Sequence, residues 1–403
     1  MSGPGAAGDA RYGWAVVAAA FALMLIGFAS AYSFAAFFSA FQAEFGASRA
    51  HVALVFSLAA FTWFICGAPA GLAADRFGAR RIALIGVACL AAALWLSSVA
   101  PSVTFLYLTY SIGIGLGVGL VYVPSVGAVQ PWFRANRAFA SGLAIAGIGA
   151  GNIAGPLLAA FLIEQLGWRS AYQVLSIAFL AIGAAAALAL RERHAGRARS
   201  EAPGHTLPAA LRSREFWLLY GSLFLTCVGL FVPMVHLGPF AQDAGYSEAQ
   251  GVALVSLIGV GSLVGRFTIG PFADRLGRER SLAALYGGLG LMLLVWWSSS
   301  SYAVLAVFAV VFGSFYGAYV ALLPTIVMDL YGPRAVAGII GSLYTGAGLG
   351  TLLGPWLAGA AYDAFHSYNL PILAAAALSF LAAACVVPLR GLKREESALV
   401  HRR

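Results

Sequence analysis

Residues 71–81 read GLAADRFGARR, and residues 270–280 read GPFADRLGRER. The shared D-R-x-G core places Asp75 and Asp274 199 positions apart. Outward from it, at the same offset, Ser57 and Leu58 meet Ser256 and Leu257. Further along, Gly142, Gly147, Gly149, Gly151, Gly155 and Pro156 meet Gly341, Gly346, Gly348, Gly350, Gly354 and Pro355. Pro124 and Pro324 correspond at an offset of 200. Agreement over this many positions marks a duplicated unit, not a chance motif.

Both copies have the composition of a membrane interior. Of the 403 residues, 61% are hydrophobic and only 10% charged, against about 25% charged in a soluble domain. Apolar runs long enough to cross ~30 Å of hydrocarbon fall at about 13–41, 51–74, 81–100, 103–131, 137–163, 168–190, 215–240, 248–273, 281–299, 302–330, 335–361 and 369–389. Runs of this length span as helices, because hydrocarbon offers the backbone no other partner. The expectation is an all-α membrane protein of 12 transmembrane helices in two six-helix bundles. Six is even, so both halves insert the same way and are related by a pseudo-two-fold axis along the membrane normal. The expected division is 1–190 for the first bundle, 191–214 for a linker, 215–389 for the second bundle and 390–403 for a tail. The linker reads as such because it carries charge, Pro and Gly without an apolar period.

The net charge of +9 does not indicate nucleic acid. All but three of the 24 basic residues lie in alternate connections and the two ends, leaving Arg49 and Arg169 on the opposite side and Arg266 within a span. That asymmetry sets topology and predicts a cell membrane, plasma or inner, with both termini cytoplasmic. Gly13 onward stays apolar for more than 20 residues, longer than a signal-peptide core, so no cleaved leader is expected. Cys66, Cys89, Cys227 and Cys385 lie inside apolar runs without metal-ligand spacing. Neither a metal site nor a cofactor is expected.

Arg266 is the anomaly. It sits in LVGRFTIG, residues 263–270, eight residues from Asp274 and so roughly 12 Å along the helix. An arginine at a helix centre costs at least about 2.5–3.5 kcal/mol to insert. Its repeat-mate is Gly67, so the scaffold does not demand it. The 15 acidic residues all lie in connections or near helix ends, which leaves no internal counter-ion. Either polar neighbours and water solvate the guanidinium, or an anionic ligand completes it. Ser262 and Gly259 share its face and leave room for a small bidentate carboxylate.

The D-R-x-G signature in both halves, the twelve spans and the central basic loop resemble the major facilitator superfamily, over essentially the whole chain. Within it, DARYGWAVVAAAF (9–21) and WFRANRAFASGLAIAGIGAG (132–151) resemble the two signatures of the monocarboxylate porter family. Asp9, Gly13 and Trp14 carry the first likeness; Phe133, Arg134, Arg137, Ala140, Gly142 and Gly147 carry the second. Bacterial oxalate/formate-type exchangers lie in the same neighbourhood. The resemblance implies a secondary transporter of small organic anions working by alternating access, with a monocarboxylate and a proton as candidate cargo. Oxalate/formate-type exchange and export of an amphiphilic compound are the alternatives.

The resemblance also assigns gating to the repeated loops. Asp75 would face the positive end of helix 11 and Asp274 that of helix 5, with Arg76, Arg134, Arg275 and Asp329 completing the charge clusters. The plain alternative is that these charges only fix topology. Substrate contacts are expected from helices 1, 4, 7, 8 and 10: Arg266 and Ser262, Tyr122, Tyr316 and Tyr319, His236, Tyr32 and Phe34. Tyrosine offers an apolar ring with a hydroxyl, although each of these is equally suited to packing, and His236 to a buried, satisfied imidazole. Two departures stand out. Animal monocarboxylate porters have a Lys in helix 1 and an Asp one turn before the helix 8 Arg. Here the single lysine is Lys393 in the tail, and Ser262 occupies the Asp position.

Overall fold

A computed structural model describes residues 4–133, 137–191 and 204–389. Most of the expected linker, the tail and Arg134 lie outside the described residues. Eleven helical runs are long and apolar enough to cross a membrane. One of them, Phe139–Ala189, has 51 residues, about 75 Å of continuous helix. Gly167, with φ 77° and ψ 159°, breaks it into two spans, and this gives twelve. In chain order they are α1 (Tyr12–Phe45, with a turn at Ser33), α2 (Arg49–Phe77), α3 (Ala79–Ser98), α4 (Val103–Trp132), α5 (137–166) and α6 (168–189). The second half has α7 (Arg214–Asp243), α8 (Glu248–Leu276), α9 (Arg278–Ser298), α10 (Tyr302–Tyr331), α11 (Val336–Phe365) and α12 (Asn369–Val386).

Packing follows the repeat. In the first bundle α1 lies along α5, and α2 along α4; in the second α7 lies along α11, and α8 along α10. The bundles meet through α2 on α11 and α5 on α8, a pair of contacts that the repeat exchanges. The glycines of α5 and α11 are what permit this closeness. A methyl group at Gly155 would strike the Ala29 carbonyl of α1, and one at Gly354 the Val228 carbonyl of α7. Such small-residue contacts let helices approach where lipid gives no hydrophobic drive.

The glycine of each D-R-x-G motif has a different duty. Gly78 ends α2 at φ 95°, ψ 137°, and Gly277 ends α8 at φ 89°, ψ 142°. Their N–H groups donate back to the Ala74 and Ala273 carbonyls at 2.8 and 3.0 Å. The chain thus turns through the same conformation in both halves, one that a side chain resists. Gly78→Ala or Gly277→Ala is expected to cost about 1–3 kcal/mol of stability, read as a lower melting temperature in detergent.

Candidate functional site

Four tyrosines gather around Arg266. Gly261 and Gly265 bring α8 against the α10 backbone at Val310 and Ser314, which sets Tyr316 beside the arginine. The guanidinium interacts electrostatically with the hydroxyls of Tyr32 on α1, Tyr122 on α4, Tyr316 on α10 and Tyr344 on α11. Tyr32 and Tyr316 share a hydrogen bond of 3.1 Å between their hydroxyls, and Tyr122 interacts with Tyr344. Each pair joins one bundle to the other.

Arg266 itself is poorly satisfied. Its Nε donates to Ser262 Oγ at 3.4 Å, while Nη1 and Nη2 are buried with no hydrogen-bond partner. Among the described residues no carboxylate pairs with it. Aromatic rings complete the wall. Phe28 stacks on Tyr32 at 5.9 Å and meets Tyr122 edge-on at 5.9 Å, Trp63 stands 6.1 Å from Phe28, and Phe64 lies 5.6 Å from Tyr344. The arrangement is an unpaired cation ringed by hydroxyls in an aromatic shell.

Three expected contacts stand elsewhere. Tyr319 turns its hydroxyl to Cys227 Sγ at 3.9 Å and its ring to Tyr286 at 5.4 Å, inside the second bundle. Phe34 is packed among Phe38, Phe41, Phe56 and Tyr110 within the first; the turn at Ser33 directs it inward. His236 is fully buried. Its Nε2 lies 2.8 Å from the Pro355 carbonyl, which only accepts, so Nε2 carries the proton and Nδ1 accepts from the Tyr368 hydroxyl at 3.1 Å. Both ring nitrogens are committed to holding α7, α11 and the start of α12 together. His236→Phe is expected to lose about 1–3 kcal/mol of stability by stranding these partners, measurable by thermal unfolding.

The same junction continues into the first bundle. Arg49, at the start of α2, donates to Asp243 Oδ2 and Oδ1 at 2.8 and 2.6 Å and to the Tyr368 hydroxyl at 2.7 Å. Its guanidinium lies 3.8 Å from the centre of the Tyr362 ring. The Asp363 carboxylate accepts from the backbone N–H groups of Arg49 and Ala50 at 3.0 and 2.9 Å, where the positive end of α2 favours an anion. Ser39 on α1 donates to Gln242 on α7 at 3.0 Å. This clasp ties α1 and α2 to α7, α11 and α12. The 199 offset explains it: Glu44 and Arg169, paired at 2.7 Å in the first bundle, correspond to Asp243 and Tyr368 in the second. Where the first bundle has its own cation, the second has a tyrosine, and the cation comes from across the seam.

At the opposite end the D-R-x-G charges are loose. Asp75, Arg76, Asp274 and Arg275 are exposed, and among the described residues neither Asp has an ion-pair partner. Arg76 rests over the neighbouring Phe77 ring at 5.1 Å. Asp329 does not join a cluster with them; it is held by Arg278 Nη1 at 2.6 Å from both oxygens, within one bundle. The expected closed cluster is therefore not formed in this arrangement, and the ends of the bundles that meet are those carrying the clasp.

Over residues 19–296 and 223–402 the chain matches the family model of the Major Facilitator Superfamily. It is 28% identical to monocarboxylate transporter 12-B of Danio rerio, with 90% of this chain and 83% of that protein covered. It is 29% identical to monocarboxylate transporter 13 of Rattus norvegicus, over 94% of this chain and 90% of that one. Among solved structures it resembles a bacterial homologue of the human lysosomal transporter Spinster, captured inward-facing and unoccupied. The TM-score is 0.73 at 18% identity, over 96% of this chain and 97% of that one. With its duplicated bundles, and with the family model matched over both halves, the chain belongs to the Major Facilitator Superfamily and is related to its monocarboxylate transporters.

Proposed function

We propose that this protein carries small organic anions across the cell membrane by alternating access, with monocarboxylates of the lactate and pyruvate kind as its cargo. Arg266 carries the reading: a buried guanidinium whose Nη1 and Nη2 have no partner is incomplete without an anion. A carboxylate matches its fork in two parallel, charge-assisted hydrogen bonds. Tyr32, Tyr122, Tyr316 and Tyr344 supply hydroxyls around it, Ser262 steadies Nε, and the aromatic shell takes the short carbon chain.

The basic connections support placing the D-R-x-G end and both termini in the cytoplasm. On that reading the Arg49 clasp seals the outer face, and the two bundles, residues 1–190 and 215–389, rock about the site with 191–214 as tether. An empty site leaves a cation that resists enclosure. A bound carboxylate neutralises it and lowers the barrier through the closed state, which shifts the population across. When the cytoplasmic end closes, Asp75 and Asp274 reach the positive ends of α11 and α5, with Arg76, Arg134 and Arg275 alongside.

Proton coupling has no side-chain carrier in this arrangement. Ser262 stands one turn before Arg266 where an acid would titrate, and His236 is locked between Pro355 and Tyr368. This favours anion exchange, of the oxalate/formate type, or uniport over a proton relay. The test is uptake of labelled two- to four-carbon acids into proteoliposomes, with and without a pH gradient and with internal unlabelled acid. Uptake driven by the acid gradient alone returns the proton to the scheme. Uptake of hydrophobic cations in place of acids transfers the reading to an exporter of amphiphiles.

A further inference from the structure

Asn152 lies in α5 with 1% of its surface exposed, and both atoms of its amide, Oδ1 and Nδ2, are buried without a hydrogen-bond partner. Such a group is unfavourable in any interior, more so where hydrocarbon replaces water. Its repeat-mate is Thr351, whose hydroxyl donates to the Ala347 carbonyl at 2.8 Å. The scaffold thus accepts a self-satisfied residue at this place, and the first half has one that is not.

Three helices meet here. Gly151 and Gly155 set α5 against the α1 backbone at Leu25 and Ala29, and Gly259 sets α8 against the backbone of Asn152 and Ile153. One turn earlier in α5, Gly149 faces Leu263, one turn later in α8. The two helices therefore run antiparallel, with 152 level with 259. Arg266 begins below Leu263, but helical side chains run back toward the helix N-terminus. Its Nε reaches Ser262 Oγ, so the guanidinium is carried to the level of Ser262. From there to the level of Gly259 is three residues, about 4.5 Å of rise. Two unpaired amide atoms from one bundle and two unpaired guanidinium nitrogens from the other thus stand about one helical turn apart.

We infer that Asn152 is a specificity-determining residue. With the carboxylate on Arg266, the amide pairs with a hydroxyl or oxo oxygen further along the same three- or four-carbon acid. The inference rests on Arg266 being the carboxylate site. A primary amide suits both substituents, since Nδ2 donates to an oxo oxygen and Oδ1 accepts from a hydroxyl. Selectivity follows because a plain fatty acid of equal length leaves the amide unpaired in the loaded carrier, and a site built to hydrogen-bond a group rejects the analogue lacking it.

The experiment compares lactate, pyruvate and propionate uptake by the full-length protein in proteoliposomes. Wild type is expected to take up lactate and pyruvate with kcat/KM about 10-fold above propionate. In Asn152→Leu that ratio falls to about 1, through loss on the lactate and pyruvate side, while the melting temperature holds or rises because leucine leaves no unpaired atom. Asn152→Ser, whose hydroxyl can satisfy itself on the helix as Thr351 does, removes the preference too and carries the comparison if the leucine variant does not fold. No preference in wild type, or an unchanged ratio in the variants, overturns the role of Asn152. Undiminished uptake of all three acids by Arg266→Gln overturns the carboxylate site itself, whatever Asn152 does.

Discussion

Arg266→Gln is expected to reduce carboxylate uptake by at least about 100-fold while the protein still folds. Removing one partner of an enclosed charge pair costs roughly 3–5 kcal/mol, and each 1.4 kcal/mol is a factor of ten. In the empty carrier the accounting is reversed, since the only bond lost is the 3.4 Å contact from Nε to Ser262. Glutamine also removes two buried N–H groups that have no partner, and Gly67 holds the matching place in the first half without any polar group. The variant should therefore melt no lower than wild type. Arg266→Lys should recover little, because an ammonium cannot engage both carboxylate oxygens in a planar fork. Uptake per milligram of monodisperse protein is the measurement, and activity near wild type in Arg266→Gln would exclude the arginine as the binding cation.

Breaking the clasp should change which face of the carrier is open. Arg49 joins the bundles through a two-pronged pair with Asp243, a hydrogen bond to Tyr368 and a stacked contact on Tyr362. The Arg49 side chain is 13% exposed and that of Asp243 37%, so the pair is partly screened and contributes about 1–3 kcal/mol. Arg49→Ala or Asp243→Asn should then raise the population with the clasped end apart by roughly 5- to 150-fold. Spin labels at Ala47 and Ser367, on connections either side of the clasp and in a background without Cys66, Cys89, Cys227 and Cys385, would report a longer distance. The exchanged pair Arg49→Asp with Asp243→Arg should restore part of the short one. An unchanged distance distribution in both single variants would show that the clasp does not bias the equilibrium.

The fold was legible because its determinants are periodic. Apolar runs of membrane length, charges confined to alternate connections and a glycine pattern repeated at one offset all survive in a single sequence. Even the fused helix Phe139–Ala189 was divisible, since Gly167 falls between two runs. The site was legible only where a residue broke the composition. Arg266 announced itself as a cation in hydrocarbon. Tyr344, Phe28 and Trp63 did not, because an aromatic residue facing a cavity has the same neighbours in sequence as one facing lipid. Phe34 and Tyr319 were misplaced for the same reason. The clasp was hidden differently: Arg49 and Asp243 look like ordinary helix-end charges, and nothing local says that they meet across two bundles. Asn152 was overlooked inside a glycine-rich helix that reads as packing, and only its unmatched hydrogen bonds single it out.

The substitution of a tyrosine, Tyr368, for the arginine that its twin position Arg169 provides has a consequence for sidedness. A passive carrier cannot change where equilibrium lies, but it can meet its two reservoirs with unequal half-saturation. If the clasp favours one orientation by about 2 kcal/mol, the other is populated at only a few per cent. Apparent affinity from that face is then weaker by about 30-fold although the site is unchanged. Cargo would be gathered efficiently at low concentration from the side bearing the D-R-x-G loops, and from the far side only when abundant. A duplicated and nearly symmetrical scaffold thereby acquires a preferred reservoir through one unreplicated ion pair.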